Sequence, residues 1–450
     1  MIFFCFFTWL IMSSAVLAQG GVRDTVLTVR SGDTLFGIAA RLLPYSTQYT
    51  TGDLVGEIKE QNGLQSDVIR PGQRLVVLLE TLDLLDQPVP RDADFAACGI
   101  YVRAPLAGSN RIFDLADELV AAGGNTVVFD VKDRHGNLGY DSSVPLALTI
   151  GAGAKAPIAQ PAKLIDLLHR RGIHVVARLT CFYDERLARE RPDLVPISRR
   201  GQHLWSEHGI PQWVDPSLPE VQEYLLALVR EVAELGVDEI QLDYLRFPTE
   251  GDLSDAVFAF DPDILPKHRV ITRFVAEVRR VLDTTETLLS ADIFGVAAWG
   301  QEADLLSVGQ HLPDLLPYLD IVSPMLYPSH FADGFAGIER PVDHPYYFQL
   351  KGCMRLQKLA VDHQVPVRPW IQAFDYRVPD FDTQYIIEQL YGAEDGGAQG
   401  WLLWHPSSDY GVGMEAIARF KSGSTEAVPE QERFPIKSAM DLSPVDGVAD

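Results

Sequence analysis

Cysteine is scarce in this chain, which has four cysteines among 450 residues. Cys5 lies in an N-terminal apolar run, and Cys98, Cys181 and Cys353 leave an odd number scattered over a long sequence. Their spacing is neither that of a disulfide framework nor that of a metal site. We therefore predict that these three cysteines are small, buried core residues.

Basic residues are outnumbered by acidic ones. The chain has 38 Lys and Arg against 62 Asp and Glu, which gives a formal net charge of −24. A surface of this sign repels phosphate backbones, so we predict no nucleic-acid partner. Histidines at metal-ligand spacing are also absent, because His330, His344 and His405 show neither i, i+4 pairing nor a His-x-His motif. This argues against a metal-dependent hydrolase or deacetylase, and we predict neither a metal nor another cofactor.

Long apolar runs are lacking after the first 18 residues, so we predict no transmembrane span in the mature chain. The run itself, "MIFFCFFTWLIMSSAVLA", is uncharged, with small residues at Val16 and Ala18. We interpret residues 1–18 as a cleaved signal peptide, which places the mature protein outside the cytoplasm, secreted or periplasmic. An uncleaved amphipathic or membrane anchor is the alternative, since the usual positive charge is missing at the start.

Residues 26–78 form a first predicted unit in the order β-α-α-β. A short β stretch precedes Ser31-Gly32-Asp33-Thr34, and Ser31 or Asp33 is predicted to cap the helix that follows. A second amphipathic stretch, "DLVGEIKEQNGL", ends at a helix-stop signal, and "IRPGQRLVVL" supplies a turn and a closing strand.

This unit resembles a LysM domain. GDTL after the first strand, the IA pair, N-x-L and I-x-x-G-Q-x-L-x-V all stand in place, although "LPYSTQYTTG" makes the segment between the helices longer than usual. The resemblance implies binding to peptidoglycan or another N-acetylglucosamine-containing glycan. It also implies that the glycan-binding groove involves two turns, formed by Gly32, Asp33, Thr34, Asn62, Gly63 and Leu64.

Two segments lack the composition of a folded unit. Residues 79–96 contain two prolines and five acids and are predicted to be a linker. Residues 421–450 are rich in Ser, Pro, Glu and Asp with little periodicity, which predicts a disordered acidic tail.

Residues 97–420 alternate strand-like with amphipathic helix-like stretches. Eight such repeats predict an α/β fold, a (β/α)₈ TIM barrel behind the small βααβ domain. A doubly wound open sheet is the alternative, but no Gly-rich dinucleotide fingerprint follows the first strand. The predicted strands are Gly99–Arg103, Asn125–Lys132, His174–Phe182, Glu239–Arg246, Leu288–Phe294, Ile321–Tyr327, Val367–Phe374 and Gly400–His405.

Polar residues occupy positions that face the barrel lumen. In "DEIQLDYLRFP", alternation points Glu239, Gln241 and Asp243 inward and Ile240, Leu242 and Tyr244 towards the helix layer. A buried ionised group costs several kcal/mol unless it is paired, so Glu239 is predicted to pair with Arg178 on the neighbouring strand. The same alternation points Asp130, Lys132, Arg178, Thr180, Ser290, Asp292 and Gln372 inward.

Asp243 and Asp292 lie at the C-terminal ends of neighbouring strands, where barrel enzymes carry out their chemistry. Two carboxylates in such positions suit glycoside hydrolysis, in which one protonates the leaving oxygen and the other attacks carbon or activates water. Arg246 either holds Asp243 ionised or binds substrate. Asp243 is the predicted nucleophile or base, and Asp292 is the acid or the helper of another acid. Retaining and inverting geometries both stay open.

Aromatic residues cluster at or just past the predicted strand ends. Sugar rings pack their C–H faces on aromatic rings, and Trp370 and Trp404 are the best candidates for such a platform. Core packing is the other role open to each ring, and about half of the set is expected to be core. The set is Trp205, Trp213, Tyr244, Phe247, Tyr327, Trp370 and Trp404.

Several of these stretches resemble a bacterial glycosyl hydrolase domain family of the TIM-barrel glycosidase superfamily. They include "FDVKDRHGNLGYDS", "ARLTCFYDERLARERPDL", "DEIQLDYLRFP", "SADIFG", "DIVSPMLYPSHF" and "RPWIQAFDY". Tyr183 stands where the family more often has lysine. At matching positions the resemblance implies the pocket residues Asp130, Lys132, Asp133, Asp184, Asp243, Arg246, Asp292, Tyr327, His330, Gln372 and Asp375.

Our first hypothesis is a secreted glycoside hydrolase that acts on a polysaccharide and is tethered to the cell wall by its LysM domain. The alternative is a non-catalytic cell-wall protein that binds glycan with a degenerate barrel. Acids at the ends of both the fourth and the fifth strand favour the first hypothesis.

Overall fold

The computed structural model describes residues 23–79, 95–201, 203–207, 209–300, 306 and 308–423. The predicted signal peptide, nearly all of the predicted linker and the predicted tail beyond residue 423 lie outside these residues. The chain divides into two compact units with the boundary between residues 85 and 86, and each is described by itself.

The first unit has the predicted β-α-α-β order. Strand β1 (Arg23–Thr28) pairs antiparallel with β2 (Arg74–Leu79), and helices Leu35–Leu42 and Thr51–Asn62 lie between them in sequence. The N-cap of the first helix is Thr34, whose hydroxyl accepts from Gly37 N at 3.0 Å. The prediction of Ser31 or Asp33 as the cap was wrong, because Asp33 instead accepts from Arg30 N at 2.7 Å and closes the preceding turn.

The second helix is tied to the sheet at its C-terminal end. Asn62 donates from Nδ2 to Val76 O at 2.7 Å and accepts from Val76 N at 2.8 Å. Gly63 follows with φ of 63°, a left-handed conformation that ends the helix as predicted. Apolar side chains from both helices and both strands fill one core, including Leu35, Ile38, Leu54, Ile58, Leu75 and Val77.

The second unit is a closed barrel of eight parallel strands, as the sequence predicts. Every predicted strand overlaps one barrel strand, and neighbours along the chain are neighbours in the barrel. The strands are β3 (Ala97–Val102), β4 (Thr126–Lys132), β5 (His174–Thr180), β7 (Glu239–Asp243), β9 (Leu288–Phe294), β10 (Ile321–Met325), β11 (Trp370–Gln372) and β12 (Gly400–Trp404). A short antiparallel pair, β6 (Ile197–Ser198) and β8 (Ala256–Val257), lies outside the barrel.

Amphipathic helices cover the barrel because one face of each is apolar at helical spacing. In the helix Pro219–Glu234, for example, Val221, Leu225, Leu228 and Val232 are buried. The α-helices of this unit are Ala104–Ala107, Arg111–Ala122, Pro145–Thr149, Pro161–His169, Glu185–Glu190, Pro219–Glu234, Lys267–Leu282, Leu312–Leu315, Pro345–Ala360, Thr383–Asp395 and Gly411–Ser422. Within the described ranges, every helix is too short or too polar to cross a bilayer.

The cysteine prediction is confirmed, since Cys98, Cys181 and Cys353 are buried free thiols. Burial raises the pKa of the Cys353 thiol above its usual range, so this thiol stays protonated and unreactive.

The floor of the lumen is built on Glu239, which is fully buried. Arg368 donates to it from Nη1 at 2.9 Å and from Nη2 at 2.5 Å, and Ser290 and His174 complete the set of partners. Burial alone would raise the pKa of Glu239, but the charge of Arg368 and the contact with His174 outweigh it and hold the pKa below its usual range.

The predicted partner of Glu239 was therefore wrong. In the β5–β7 register Val176 lies opposite Glu239, whereas Arg178 lies opposite Gln241 and so belongs to the row above. Arg368 reaches Glu239 from the chain segment before β11, 129 residues away in sequence. Strand alternation predicts that Glu239 needs a cation, but it does not predict which arginine crosses the lumen.

We expect Glu239→Gln to lower the free energy of unfolding by about 3–5 kcal/mol, because it leaves the buried Arg368 without its counter-charge. Since the folded-state pKa of Glu239 is depressed, the stabilisation is present above the unfolded-state pKa near 4.5 and is lost as the pH falls. Urea unfolding at pH 7 measures the loss, and wild type and variant should converge in acid.

The matched control is Glu118→Gln, which removes a half-exposed ion pair to Arg111. It should cost about 0–1 kcal/mol, the range of surface pairs. Equal costs for the two variants would contradict a structural role for the Glu239–Arg368 pair.

Candidate active site

A cavity of about 860 Å³ opens at the C-terminal ends of the barrel strands. Its walls carry residues from the ends of several strands and the loops that follow, the usual site of catalysis in this fold. Nine of the residues predicted for the barrel site line it: Asp130, Asp133, Asp243, Arg246, Asp292, Tyr327, His330, Trp370 and Trp404.

Arg178 joins two carboxylates at the bottom of this cavity. Its Nη1 donates to Asp130 at 2.5 Å, its Nε donates to Asp243 at 3.0 Å, and its Nη2 makes a second, short contact with Asp243. Burial lowers the pKa of Arg178, but the charges of Asp243 and Asp130 outweigh it and raise the pKa well above its ordinary value. Arg178 is therefore a fixed positive charge between the two acids.

Asp243 is held by three donors. Besides the two from Arg178, the backbone N of Tyr244 donates to its Oδ1 at 2.6 Å. These bonds, two of them from a guanidinium group, fix the orientation of the Asp243 carboxyl group. The sequence predicted Arg246 as a cation that could hold Asp243 ionised, but the structure gives that place to Arg178, and Arg246 turns to other partners.

Asp292 is in the opposite electrostatic situation. It is 2% exposed, and Trp370 Nε1 donates to its Oδ1 at 2.6 Å. Burial, and after it the negative charge of Asp243, raise the pKa of Asp292 well above its usual range. Because Leu242 pairs with Ala291 in the β7–β9 register, Asp243 and Asp292 occupy the next positions on adjacent strands. The two neighbouring acids therefore differ in surroundings, since Asp243 contacts a guanidinium group and Asp292 is buried beside Asp243 with a raised pKa.

Asp130 is a third carboxyl group in the cavity, and Tyr101 OH donates to it at 2.5 Å. Burial raises the pKa of Asp130, although the charge of Arg178 opposes this. Tyr101 was missed in the sequence, and its ring stacks on Trp404 with centroids 4.0 Å apart. Its position near the end of β3, in the inward phase, was the signal that could have identified it.

The chain makes a left-handed turn directly after Asp243. Tyr244 has φ of 47°, a conformation that non-glycine residues seldom adopt and that clusters at functional sites. The turn reverses the alternation, so Leu245 and Phe247 are fully buried while Tyr244 and Arg246 line the cavity. The prediction that Tyr244 faces the helix layer was wrong for this reason.

Lys132 and Asp184 form an ion pair of 2.9 Å in which both side chains are fully buried, outside the cavity lining. Alternation had predicted Lys132 in the lumen beside Asp130. The β4–β5 register shifts between these two residues, so Asp130 lies opposite Arg178 but Lys132 lies opposite Leu179. The bulge changes the register at Lys132, whose Nζ also donates to Thr180 O at 2.7 Å. The implied pocket role of Lys132 and Asp184 stays a prediction.

Two further implied pocket residues also lie outside the cavity lining. Gln372 is fully buried and fastens loops, accepting from Ser329 N at 3.1 Å and donating to Phe374 O at 3.0 Å. Asp375 is exposed beyond the strand end. Gln372 therefore acts on the site through the loops that it positions.

The predicted aromatic set divides between cavity and core. Trp370 and Trp404 meet edge to face, with centroids 5.5 Å apart, on one wall of the cavity. Tyr244 and Tyr327 line it as well. The remaining three are buried outside its lining: Trp205, Trp213 and Phe247.

The six residues implied for LysM glycan binding form the two predicted turns. Gly32 has φ of 88°, Asp33 accepts from Arg30 N, and Thr34 caps the first helix. Asn62, Gly63 and Leu64 form the second turn, where Leu64 packs partly against the core.

The barrel sequence has relatives. Residues 99–410 match the family described as "Putative glycosyl hydrolase domain", and residues 27–78 match the LysM domain. The chain belongs to this glycosyl hydrolase domain family. The match confirms the resemblance stated from the sequence, and it covers the strand ends that build the cavity.

Solved structures are similar to this chain, and the first of the two named here shares its fold. The PgaB (BpsB) glycoside hydrolase domain from Bordetella bronchiseptica is 15% identical, with a TM-score of 0.55 over 72% of this chain and 99% of that one. A hypothetical protein from Ruminiclostridium thermocellum is 31% identical, with a TM-score of 0.39 over 43% of this chain and 96% of that one. No curated protein matches the sequence.

Among the described residues, no group of three or more His, Cys, Asp or Glu is placed to hold a metal ion.

Proposed function

We propose that this protein is a secreted, cell-envelope-associated glycoside hydrolase that cleaves a polysaccharide with Asp243 and Asp292. The observation that carries the proposal is the contrast between these two neighbouring acids. Arg178 donates to Asp243 from Nε at 3.0 Å, while burial and the charge of Asp243 raise the pKa of Asp292. Two neighbouring carboxyl groups in unlike environments, one beside a cation and one buried, are the arrangement that glycoside hydrolysis uses.

In the proposed reaction Asp292 donates its proton to the glycosidic oxygen as the bond to the anomeric carbon breaks. Asp243 then either attacks that carbon or takes a proton from the attacking water. Trp370 Nε1 orients the Asp292 carboxyl through its 2.6 Å bond. Retention and inversion predict different separations of the carboxyl groups, about 5–5.5 Å and about 6.5–9.5 Å, and the anomer first released distinguishes them by proton NMR.

The substrate is proposed to lie along the aromatic wall. Trp404, which is partly buried in the cavity wall, offers an apolar ring to the C–H faces of sugar units, and Trp370, which is 1% exposed, supports that ring from behind at right angles. Asp130, Asp133, Tyr327 and His330 are proposed substrate contacts, since all four line the same cavity.

Release of reducing ends from cell-wall and exopolysaccharide glycans tests the proposal. Wild type and Asp243→Asn are purified in parallel and assayed on each glycan, with the same preparation tested for glycan binding. Hydrolysis by wild type alone supports the proposal. Glycan binding without hydrolysis by either protein would support the non-catalytic alternative, and equal hydrolysis by both would contradict the role of Asp243.

The LysM domain is proposed to concentrate the barrel on a glycan rich in N-acetylglucosamine, such as peptidoglycan. Tethering raises the local substrate concentration without adding catalytic contacts. We expect deletion of residues 19–80 to reduce sedimentation with cell walls at least about tenfold, at the low end of typical avidity gains. Turnover of a small soluble substrate should be unchanged. A deletion variant that still sediments with walls as wild type does would contradict the tether.

A further inference from the structure

The guanidinium group of Arg246 lies among three aromatic rings beside the proposed catalytic acids. Its central carbon is 4.4 Å from the ring centre of Phe294, 4.7 Å from that of Trp213 and 5.5 Å from that of Tyr244. The residue is 9% exposed, and it lines the cavity. Stacking of this kind fixes the orientation of the planar group.

Arg246 has no carboxylate within 4.0 Å in the described part of the chain, although it is buried. Its hydrogen bonds to described residues both use Nη1, to Phe247 O at 2.9 Å and to Thr249 Oγ1 at 3.4 Å. The nearby acids Asp243 and Glu207 are already engaged, by Arg178 and by Trp213 Nε1 respectively. A buried cation without a counter-ion is costly, and here burial lowers the pKa of Arg246.

The cavity mouth carries two more arginines, Arg103 and Arg134, both exposed. Neither has an ion-pair partner among the described residues. The acids of the cavity have other partners, since Asp243 and Asp130 share Arg178, and Asp133 accepts from the backbone of its own turn. Four arginines line this one cavity in a chain of net charge −24, and among the described residues three of them, Arg103, Arg134 and Arg246, have no carboxylate within 4.0 Å.

We propose that the cavity takes a glycan whose sugars carry carboxylate groups, and that Arg246 binds one of these carboxylates. The guanidinium fork matches a carboxylate, and the aromatic rings hold the fork in place. Arg134 and Arg103 attract the acidic units on either side. The carboxylate belongs either to a uronic acid or to the lactyl ether of a muramic-type sugar. The inference names the substrate class of the proposed hydrolase, but the binding that it describes does not depend on turnover.

The test measures binding with matched pairs of oligosaccharides by isothermal titration calorimetry. One arm uses hexameric oligogalacturonate, the other uses peptide-free peptidoglycan glycan strands, and each is compared with its carboxyl-reduced form. The full-length Asp292→Asn protein serves as the non-cleaving host. Asp243→Asn would be a less suitable host, because it removes one of the two carboxyl groups that contact Arg178 and so changes the charge of the cavity.

We expect the acidic form in one arm to bind at least tenfold more tightly than its reduced form. The arm that shows this preference identifies the source of the carboxylate. Adding Arg246→Met should abolish the preference, and Arg134→Gln should reduce it severalfold. The control Arg200→Gln, an exposed arginine paired with Asp252, should leave it unchanged.

Equal binding of acidic and reduced forms in both arms would overturn the inference, as would a preference that survives Arg246→Met. If Arg246→Met fails to fold, Arg103→Gln with Arg134→Gln provides the same comparison on exposed residues. Failure of this inference can be distinguished from failure of the proposed function. Hydrolysis of neutral glycans, with equal binding of acidic and reduced forms, would contradict this inference alone. A preference for the acidic form that depends on Arg246, without any hydrolysis, would contradict only the proposed function.

Discussion

Asp243→Asn is expected to lower kcat/KM by about 10³-fold or more, a loss of about 4 kcal/mol of transition-state stabilisation. Asparagine at this position can still accept from Tyr244 N through Oδ1, but it can neither attack the anomeric carbon nor take a proton from water. Steady-state assays on the glycan found in the substrate screen measure the loss. Affinity for that glycan should survive, because the aromatic wall and the LysM domain are untouched.

The structure also limits the loss of stability in this variant. Removing one partner of a buried ion pair usually costs about 3–5 kcal/mol because a charge is left alone. Arg178 keeps its 2.5 Å bond to Asp130, so its charge remains compensated and we expect a smaller cost. Circular dichroism tests whether the variant is folded. The control is Asp283→Asn, which removes an exposed partner of Arg279 and should leave activity unchanged. Unchanged turnover in Asp243→Asn would contradict the proposed catalytic role of Asp243.

The alternation of inward and outward residues along each strand correctly predicted most of the side chains that face the lumen. Buried parallel strands give continuous apolar runs, so the eight strands stand out in the sequence. Within β7 and β9 the period of two places Glu239, Asp243 and Asp292 inside, because both strands are regular up to their ends. These three positions depend only on local geometry, and local geometry can be inferred from a single sequence.

Prediction failed where the backbone departs from the regular strand. The register shifts between Asp130 and Lys132, and Lys132 lies outside the cavity lining. The left-handed conformation of Tyr244 brings its own side chain to the cavity. Neither position is a glycine or proline, so no residue type signals the irregularity. Both lie at the rim of the site, where bulges and unusual φ values are concentrated.

The sequence also did not predict which acid pairs with which arginine. Alternation shows that several acids and arginines share the lumen, but it gives no distance across the barrel. Arg178 and Arg368 were each available to Glu239, and the row in which Arg178 lies decides the outcome. The consequence for function is large, because Arg178 is thereby left to hold Asp243.

Asp292→Asn is expected to abolish hydrolysis and, at neutral pH, to raise the melting temperature. Asparagine has nearly the shape of the protonated acid, and its Oδ1 can keep the bond from Trp370 Nε1. It has no acidic proton to give to the leaving oxygen, so kcat should fall by about 10²–10⁴-fold, the usual contribution of general acid catalysis. In wild type, activity should be lost on the alkaline side as Asp292 ionises.

The gain in stability follows from the direction of the pKa shift. Burial and the charge of Asp243 raise the pKa of Asp292 above its ordinary value of 3.8, so the folded protein keeps a proton that the unfolded chain releases. Wild-type stability therefore falls as the pH rises from about 4 towards the raised pKa, by about 1.4 kcal/mol for each pH unit. Asparagine does not titrate and escapes this loss.

Thermal unfolding at pH 4 and pH 7 separates this account from a purely structural role for Asp292. The variant should match wild type near pH 4 and melt at a higher temperature at pH 7, because only wild type loses stability over this pH range. The control Asp283→Asn removes an exposed partner of Arg279, and its melting temperature should stay close to that of wild type at both pH values. A variant that melts lower than wild type at pH 7 would mean that the ionised form of Asp292 is the stabilising one. The proton donor would then have to be sought among the other acids of the cavity, with Asp130 the first to test because burial raises its pKa too.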